Sequence, residues 1–404
     1  MTNDFKKTIK SLMLSNRRHR GGNLYTLPSP ESYPYQWLWD SCFHAIILSH
    51  YDISSAKEEL LSLFVRQFEN GMIPHMIYWQ KKTASDFPVI EWGKEDTSSI
   101  TQPPMLAYSV WQIYQKDKNK KFLDQIYPNL TKFYRYFLEY RDFRGNNLIS
   151  IINPDESGED NSSRFDVVLG LPPKHSLKEN FKKRLELIQR NRECKFNART
   201  CMKNFFWVKD VPFNSILVEN LKCLSDIASV LGKHEDADLF FDQSKLIAAA
   251  MRKHMFEDGV FWSLHSKMDI VGEKISYKKI KVKTWAIFAP LFAMLYTKSE
   301  ANKIIEKYLQ NEEEFNAPFL IPTVSLSEES FNPDGFWRGP VWMSTNWFIY
   351  KGLQKYGYET LAEKIKQSSL DLLEKSGFRE QYNPLTGEGY GAKKFTWGGL
   401  VIDM

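Results

Sequence analysis

The 404-residue sequence has only four cysteines, Cys42, Cys194, Cys201 and Cys223. No two of them have the CxxC spacing of a zinc or redox motif. The cysteines therefore indicate neither a disulfide framework nor a zinc site, and a reducing cytoplasm fits them best.

Long apolar runs are also missing. The best candidate, from Trp285 to Thr297, is shorter than the roughly 20 residues that cross a bilayer, so we expect no membrane span. Residues 1–20 lack the apolar segment and the small-residue cleavage site of a secretory signal. We therefore expect a cytoplasmic protein.

The chain also lacks a large excess of charge of either sign. Lys and Arg number 54 against 49 Asp and Glu, a net charge of +5, whereas nucleic-acid binders usually cluster basic residues on one face. No two of the eight histidines have metal-ligand spacing, and the sequence has no GxSxG elbow, P-loop or HExxH motif. We expect no nucleic-acid partner, no metal and no cofactor, and the sequence does not indicate the oligomeric state.

Aromatic residues, by contrast, are abundant. The chain has 12 Trp, 19 Tyr and 28 Phe, which together make up 15% of it. Most of them are expected to fill the core, but several Trp residues stand beside polar ones, in WLWD, IYWQ, IEWGKED, FWRGPVW and FTWGG. A carbohydrate pocket uses this combination, because a sugar ring has an apolar C–H face and a hydroxyl edge.

Helical periodicity dominates, and the predicted helices come in neighbouring pairs. The first member of each pair is apolar nearly all round and the second has a charged face, which predicts an inner and an outer helix. The five pairs are 40–50 with 54–70, 104–116 with 122–141, 214–231 with 235–254, 285–296 with 300–310, and 340–356 with 359–376. Helices at 5–14 and 176–191 supply a sixth pair, and short hairpin strands are predicted at 147–152, 259–263 and 277–282.

Six inner–outer pairs form either an open solenoid or a closed toroid. The pairs show no repeat of fixed length, and long aromatic loops separate them, as in a site-bearing fold. The sequence therefore predicts an all-α fold, an (α/α)6 toroid whose loops form a site at one end. No Pro/Ser-rich linker interrupts it, so we expect a single domain over residues 1–404.

Three loops carry candidate chemistry. Residues 153–166, NPDESGEDNSSRFD, are rich in carboxylates, as a solvated acidic loop or a calcium loop also is, although the EF-hand spacing is absent. Residues 379–391, REQYNPLTGEGYG, hold Glu380 and Glu388. Residues 336–342, FWRGPVW, place Arg338, a forked donor for hydroxyls or carboxylates, at a helix start. Two acidic loops at the ends of apolar helices indicate paired carboxylates across a pocket, the arrangement for glycoside hydrolysis.

The motifs WLWDSCFHA, NGMIPHM, TQPP, ESGxDNSSRF, WRGPVWxxTNW and EQYNPxTGEG resemble those of glycoside hydrolase family 63 over nearly the whole chain. The resemblance extends more distantly to the family 37 trehalases. In size and motif wording the chain is most similar to the compact bacterial mannosylglycerate and glucosylglycerate hydrolases. This implies an (α/α)6 barrel and an inverting α-glycosidase that needs no cofactor.

The resemblance also implies roles for individual residues. Asp160 matches the general acid and Glu380 the general base. The positions that match sugar contacts are Tyr33, Trp37, Leu38, Trp39, Asp40, Gln102, Gly158 and Trp337. Motif residues near the site, with less defined roles, are Arg164, Arg338 and Trp342. Since an acid must stay protonated near neutral pH, we expect a raised pKa for Asp160, through repulsion from Glu159 and Glu156 if these point inward.

The chain departs from the family pattern at three places. Glu159 stands where Met or Trp usually precedes the acid, and Phe336 replaces a Tyr. Residues 170–210 do not match the segment that helps hold the glycerate carboxylate through an Arg in the glycerate-specific enzymes. Several arginines there are available but none can be assigned, and a solvated outer helix is the simpler interpretation: Arg184, Arg190, Arg192 and Arg199.

Several functions stay open at this point. The first is an inverting α-glycosidase acting on a small α-glucoside or α-mannoside, including a glycerate-linked one. The second is an α-glucosidase acting on oligosaccharides or on disaccharides of the trehalose or kojibiose type. A non-catalytic sugar-binding barrel and a solenoid scaffold are the contrasting classes, although both predicted carboxylates are present and the loops are polar and aromatic. The expected partner is a small carbohydrate.

Overall fold

The computed structural model describes residues 2–80, 90–268 and 274–404. Its α-helices are α1 (Asn3–Asn16), α2 (Leu38–Leu48), α3 (Ile53–Phe64), α4 (Leu106–Asp117), α5 (Lys120–Tyr136), α6 (Asp166–Leu169), α7 (Leu177–Glu193), α8 (Ala198–Asn204), α9 (Val211–Val230), α10 (His234–His254), α11 (Ala289–Phe292), α12 (Lys298–Ile304), α13 (Met343–Tyr356) and α14 (Glu359–Ser376). Single π-helical turns continue α5 and α12 at Phe137–Arg141 and Ile305–Leu309. The 3-10 helices are Pro154–Ser157, Ser163–Phe165, Trp285–Ile287 and Thr396–Asp403.

The strands are short and lie in the loops. They are β1 (Arg17–Arg20), β2 (Asn23–Thr26), β3 (Gln36–Trp37), β4 (Met76–Ile77), β5 (Val208–Lys209), β6 (Phe256–Glu257), β7 (Val260–Phe261), β8 (Ser263–Met268), β9 (Ile275–Ile280), β10 (Arg379–Tyr382) and β11 (Gly389–Lys393). Among the described residues the strands pair antiparallel, in four two-stranded sheets and one three-stranded sheet of order β5-β8-β9. The strand predicted at 147–152 is wrong, since only an isolated bridge joins Ile151 to Val208 there.

In the part of the chain that the structure describes, six inner helices close into a ring. Going round it, α2 contacts α4, α4 contacts α9, α9 contacts α11, and α11 contacts α13. The 3-10 helix Thr396–Asp403 contacts both α13 and α2, and so completes the circle. Every residue of α2 is buried, whereas the outer helices α5 and α14 bury one face only. The predicted (α/α)6 toroid is confirmed.

Local sequence signals fix several helix ends. The carboxylate of Asp52 accepts a hydrogen bond of 3.1 Å from the backbone N–H of Ser55, which caps the start of α3. Helix α14 has the predicted bounds and ends at Gly377, whose φ of +71° lies in the left-handed region that favours glycine.

Two predicted pairs differ from the structure. The sixth pair joins the two ends of the chain, because α1 packs on the outside of the 3-10 helix Thr396–Asp403. Helix α7, predicted as a member of that pair, instead reaches the cavity described below. The stretch 285–296 is divided between a 3-10 helix and α11, because Pro290 lacks an N–H and its ring clashes with the preceding turn of a continuous helix.

The cysteine prediction is wrong for one pair. Cys194 and Cys201 form a disulfide that joins the end of α7 to α8, with their Cα atoms 6.1 Å apart. Cys42 and Cys223 are buried thiols. A spacing of seven residues does not reveal such a bond, since it depends on how the two helix ends meet in the fold.

Candidate active site

The loops that precede the inner helices meet at one end of the ring and line a cavity of about 250 Å³. The start of α2, the segment before α4, the segment before α13 and the start of the last 3-10 helix all contribute to it. Ten of the predicted site residues line this cavity: Tyr33, Trp37, Trp39, Asp40, Gln102, Gly158, Asp160, Trp337, Trp342 and Glu380.

Three predicted site residues lie outside the cavity lining. The side chain of Leu38 packs in the main core, where it is 1% exposed. Both Nη atoms of Arg338 donate hydrogen bonds to the carboxylate of Asp166, at 2.9 and 2.8 Å, and Nη2 also donates to the carbonyl of Pro173. The forked donor predicted for a ligand therefore binds a protein carboxylate. Arg164 is likewise held in a buried ion-pair network.

Indole rings form one wall of the cavity. Trp337 and Trp342 stack with centroids 3.8 Å apart and planes 6° from parallel. Trp397 packs edge-on against Trp39, at 5.1 Å between centroids, and donates from Nε1 to the carboxylate of Asp40 at 2.8 Å. Burial raises the pKa of Asp40 to about 7. Such a wall offers both an apolar platform and hydrogen-bonding groups to a sugar ring.

The turn that carries the predicted acid packs closely against this wall. Gly158 has a φ of +74°, and a Cβ atom at that position would lie 2.3 Å from the ring of Trp39. Only glycine fits there without displacing the indole. The side-chain oxygen of Gln102 accepts from the backbone N–H of Trp39 at 3.3 Å, so the segment before α4 is tied to the same wall.

Glu380 lies on β10, on the side of the cavity formed by the β10–β11 hairpin. Its Oε2 accepts from the backbone N–H of Ala392 at 2.8 Å, and its Oε1 accepts from the hydroxyl of Tyr33. Gly391 leaves room for the carboxylate, since a Cβ there would lie 2.2 Å from Oε2. Burial is the main cause that raises the pKa of Glu380 to about 7. The hydrogen bonds from Tyr33 and Ala392 oppose this rise, and the charge of Asp160 adds to it.

Asp160 lines the cavity with a side chain that is 25% exposed. Its Oδ2 lies 2.7 Å from Nη2 of Arg184, and its Oδ1 makes no hydrogen bond within the described part of the chain. Burial raises the pKa of Asp160 to about 6, although Arg184 lowers it. The expected direction of the shift is present, and the repelling neighbour is Asp155 rather than Glu156 or Glu159.

Glu159 points away from the acid, into an ion-pair network behind it. Both its oxygens accept from Arg164, at 2.7 and 3.0 Å, and one also accepts from Nε1 of Trp285 at 2.8 Å. Arg164 reaches Asp210 as well, at 3.1 Å. Glu159 therefore pairs with the buried guanidinium of Arg164, and through Arg164 and Asp210 the loop 153–166 is joined to the start of α9.

Glu156 forms a second buried ion pair behind the acid turn. It binds Arg141 through two bonds of 2.7 and 2.5 Å, and it also accepts from the backbone N–H groups of Ile152 and Thr101. Both side chains are at most 2% exposed. Thr101 is the neighbour of Gln102, so the carboxylate of Glu156 fixes the loop 153–166 and the TQPP segment relative to each other.

We expect Arg141→Met to lower the free energy of unfolding by about 3–5 kcal/mol, because the charge of Glu156 then stays buried without its partner. Urea denaturation followed by circular dichroism measures this. The matched control is Arg135→Met, since Arg135 pairs with Asp236 at 3.0 Å but is 48% exposed. The control is expected to lose less than about 1 kcal/mol, and equal losses in the two variants would contradict the structural role of the buried pair.

The sequence prediction missed Arg184, the most informative residue of the cavity. It lies on α7 in the divergent segment, is buried, and lines the cavity together with Phe181 and Asp155. The solvated-helix interpretation is therefore wrong for Arg184. Arg190, Arg192 and Arg199 are exposed, as that interpretation expects.

Further lining residues were not among the predicted site residues: Pro28, His75, Met76, Ile90, Trp92, Phe336, Phe395 and Trp397. The Trp-rich polar segments IEWGKED and FTWGG were the signal that could have found two of them. In residues 2–80, 90–268 and 274–404, no group of three or more His, Cys, Asp or Glu side chains is arranged to hold a metal ion. In the same part of the chain, no helix combines the length and apolarity needed to cross a bilayer.

A family model for the mannosylglycerate hydrolase MGH1-like glycoside hydrolase domain matches residues 33–398, which include every predicted site residue. The chain belongs to this family. It is a glycoside hydrolase of family 63, and the (α/α)6 barrel is the fold of its structural neighbours.

Individual relatives of this glycoside hydrolase match over nearly their whole length. A mannosylglycerate hydrolase from Thermus thermophilus is 32% identical, over 97% of this chain and 99% of the relative. A glucosylglycerate hydrolase from Mycolicibacterium hassiacum is 27% identical, over 95% and 94%. A crystal structure of a family 63 mannosylglycerate hydrolase from Thermus thermophilus in complex with Tris and D-glycerate superposes with a TM-score of 0.86 at 32% identity, over 99% of this chain and 100% of that one.

Proposed function

We propose that this chain is an inverting α-glycosidase that hydrolyses glucosylglycerate or mannosylglycerate. Asp160 protonates the glycosidic oxygen as general acid, and Glu380 removes a proton from the attacking water as general base. An inverting enzyme keeps these carboxyls on opposite sides of the sugar, with room for the water between them. Two carboxyls from separate loops in one cavity, both with raised pKa values, support this assignment.

The observation that carries the substrate proposal is the buried guanidinium of Arg184 beside the proposed acid. The leaving group must lie against the acid that protonates it, so Arg184 stands where an aglycone carboxylate would be bound. A guanidinium presents paired N–H donors that match a carboxylate. The crystal structure of the Thermus relative in complex with D-glycerate supports a glycerate-linked substrate.

The sugar subsite is the opposite part of the cavity. We assign the indole wall to the apolar face of the sugar ring, and Asp40 and Gln102 to its hydroxyls. The residues proposed to form the subsite are Tyr33, Trp37, Trp39, Asp40, Gln102, Gly158, Trp337 and Trp342. Leu38, Arg164 and Arg338 are proposed to support these residues from behind without touching the sugar.

A hydrolysis panel followed by proton NMR tests the function. The substrates are glucosylglycerate, mannosylglycerate, trehalose, kojibiose, nigerose, isomaltose and maltose, with Glu380→Gln as the control enzyme. We expect release of hexose from at least one glycerate conjugate, with the β-anomer appearing first because inversion converts an α-glycoside into a β-sugar.

The outcomes of the panel separate the remaining alternatives. Hydrolysis of disaccharides alone would keep the glycosidase and reject the glycerate site at Arg184. An α-anomer as first product would reject the inverting mechanism.

A further inference from the structure

Arg184 is shared between two carboxylates of the cavity. Its Nη2 lies 2.5 Å from Oδ1 of Asp155 and 2.7 Å from Oδ2 of Asp160, and its Nε donates to Oδ2 of Asp155 at 3.3 Å. Asp155 thus holds the guanidinium by two hydrogen bonds, and Asp160 forms an ion pair with it through one oxygen. Within the described residues, Nη1 makes no hydrogen bond, so the guanidinium keeps a donor for a ligand.

We propose that the carboxylate of the leaving group forms an ion pair with Arg184 in place of Asp160. Asp160, released from its own ion pair, then takes up the proton that catalysis needs. This inference rests on the proposed function and goes beyond it. Charge on the aglycone then controls how fast the bound substrate reacts, in addition to how tightly it binds.

A count of charges supports the exchange. In the free cavity one guanidinium faces two carboxylates, and a bound glycerate adds a third. Three carboxylates around one cation in a buried site are costly, and protonation of one of them relieves the repulsion. Asp155 keeps its two hydrogen bonds to Arg184. Asp160 contacts Arg184 through one oxygen, and its Oδ1 has no side-chain partner among the described residues, so Asp160 is the group that takes the proton.

The acidic groups that face Asp160 also disfavour its ionised form. Across the cavity lie Glu380 on β10, Asp40 on α2 and the hydroxyl of Tyr33, none of which brings a positive charge near neutral pH. His75 also lines the cavity, with its Nδ1 2.6 Å from the hydroxyl of Ser98. Arg184 is therefore the cation that keeps Asp160 ionised, as its lowering effect on the pKa of that carboxyl indicates.

The exchange favours the protonation state that hydrolysis needs, a protonated acid opposite an ionised base. Burial raises the pKa of both carboxyls, to about 6 for Asp160 and about 7 for Glu380, and Arg184 opposes the rise at Asp160. Release from Arg184 therefore shifts Asp160 toward its protonated form. The proton comes from solvent, and Asp160 then gives it to the glycosidic oxygen when the bond breaks.

Binding of D-glycerate to the whole chain tests the proposal. Titration calorimetry in buffers of different ionisation enthalpy measures the protons taken up per glycerate bound. If binding raises the pKa of Asp160 from about 6 by about one unit, about half a proton is taken up at pH 6.5. By the same linkage, affinity for glycerate falls about sevenfold from pH 5 to pH 7.5.

Two controls isolate Asp160 and the ligand's charge. The variant Asp160→Asn should take up about half a proton less per glycerate than the unmutated chain at pH 6.5, because its amide does not titrate. Its affinity for glycerate should also fall less between pH 5 and pH 7.5. Glyceramide, the uncharged amide of the same acid, should produce no proton uptake in the unmutated chain. This second control keeps the test valid even if the variant does not fold.

The result that overturns the inference is glycerate binding with the same proton uptake in the unmutated chain and in Asp160→Asn. Failure of glycerate to bind would overturn it as well. Neither result depends on the hydrolysis panel, since an enzyme that cleaves glycerate conjugates without proton uptake would keep the proposed function and lose only this inference.

Discussion

The Glu380→Gln variant is expected to lose about 10²- to 10⁴-fold in kcat on the enzyme's substrate, because an amide cannot take the proton from the attacking water. The substitution preserves the shape of the side chain. It also keeps an oxygen that can accept from Ala392 or from Tyr33, both of which bind the native carboxylate. KM should therefore change much less than kcat, as measured by initial rates of hexose release.

The matched control for this loss is Glu388→Gln on the same hairpin. Glu388 is exposed and accepts a hydrogen bond from the hydroxyl of Tyr390 at 3.1 Å, outside the cavity lining. We expect it to turn over at the normal rate. Activity retained in Glu380→Gln and lost in Glu388→Gln would require a different base and a different position for the water.

The ionisation of Glu380 also determines how the rate of hydrolysis changes on the acidic side of its pH optimum. A general base works only when ionised, so the rate should rise with pH through the pKa of Glu380, which burial raises to about 7. A general acid works only when protonated, so the rate should fall as pH passes the pKa of Asp160 in the enzyme–substrate complex.

The barrel could be predicted from the sequence because its signals are local. The fully apolar stretch LWDSCFHAIIL and the one-sided pattern of residues 359–376 each identify a helix and the face it buries. The sixth pair could not be predicted from such signals, because it joins α1 to residues 396–403 from the other end of the chain. The helix predicted at 285–296 gives way to a 3-10 helix and α11, because Pro290 overrides its apolar pattern.

The candidate site could also be predicted only in part. Motif residues that precede inner helices could be predicted as a group, because the barrel brings the ends of its inner helices together. The binding partners of the arginines in and around the site could not be predicted. Arg338 and Arg164 bind carboxylates of the protein, whereas Arg184, on a basic helix that looks solvated in sequence, lines the cavity. Only the path of the chain decides which guanidinium faces a ligand.

The Asp160→Asn variant is expected to lose about 10²- to 10⁴-fold in kcat on glycosides whose leaving group needs a proton, while sugar binding is kept. The amide has the size of the carboxyl but cannot donate a proton to the departing oxygen. Asp155 still holds Arg184 by two bonds, so the cavity should keep its shape. Initial rates and direct binding of the released sugar measure the two effects separately.

A substrate that needs no acid makes this prediction specific. Fluoride leaves without full protonation, so the matching α-glycosyl fluoride should react with Asp160→Asn at a rate much closer to that of the unmutated chain. Glu380→Gln should remain slow on the same fluoride, because water must still be deprotonated. The two variants are thus expected to differ on this one substrate, and equal losses for both would mean that Asp160 acts on binding or structure and does not supply the proton.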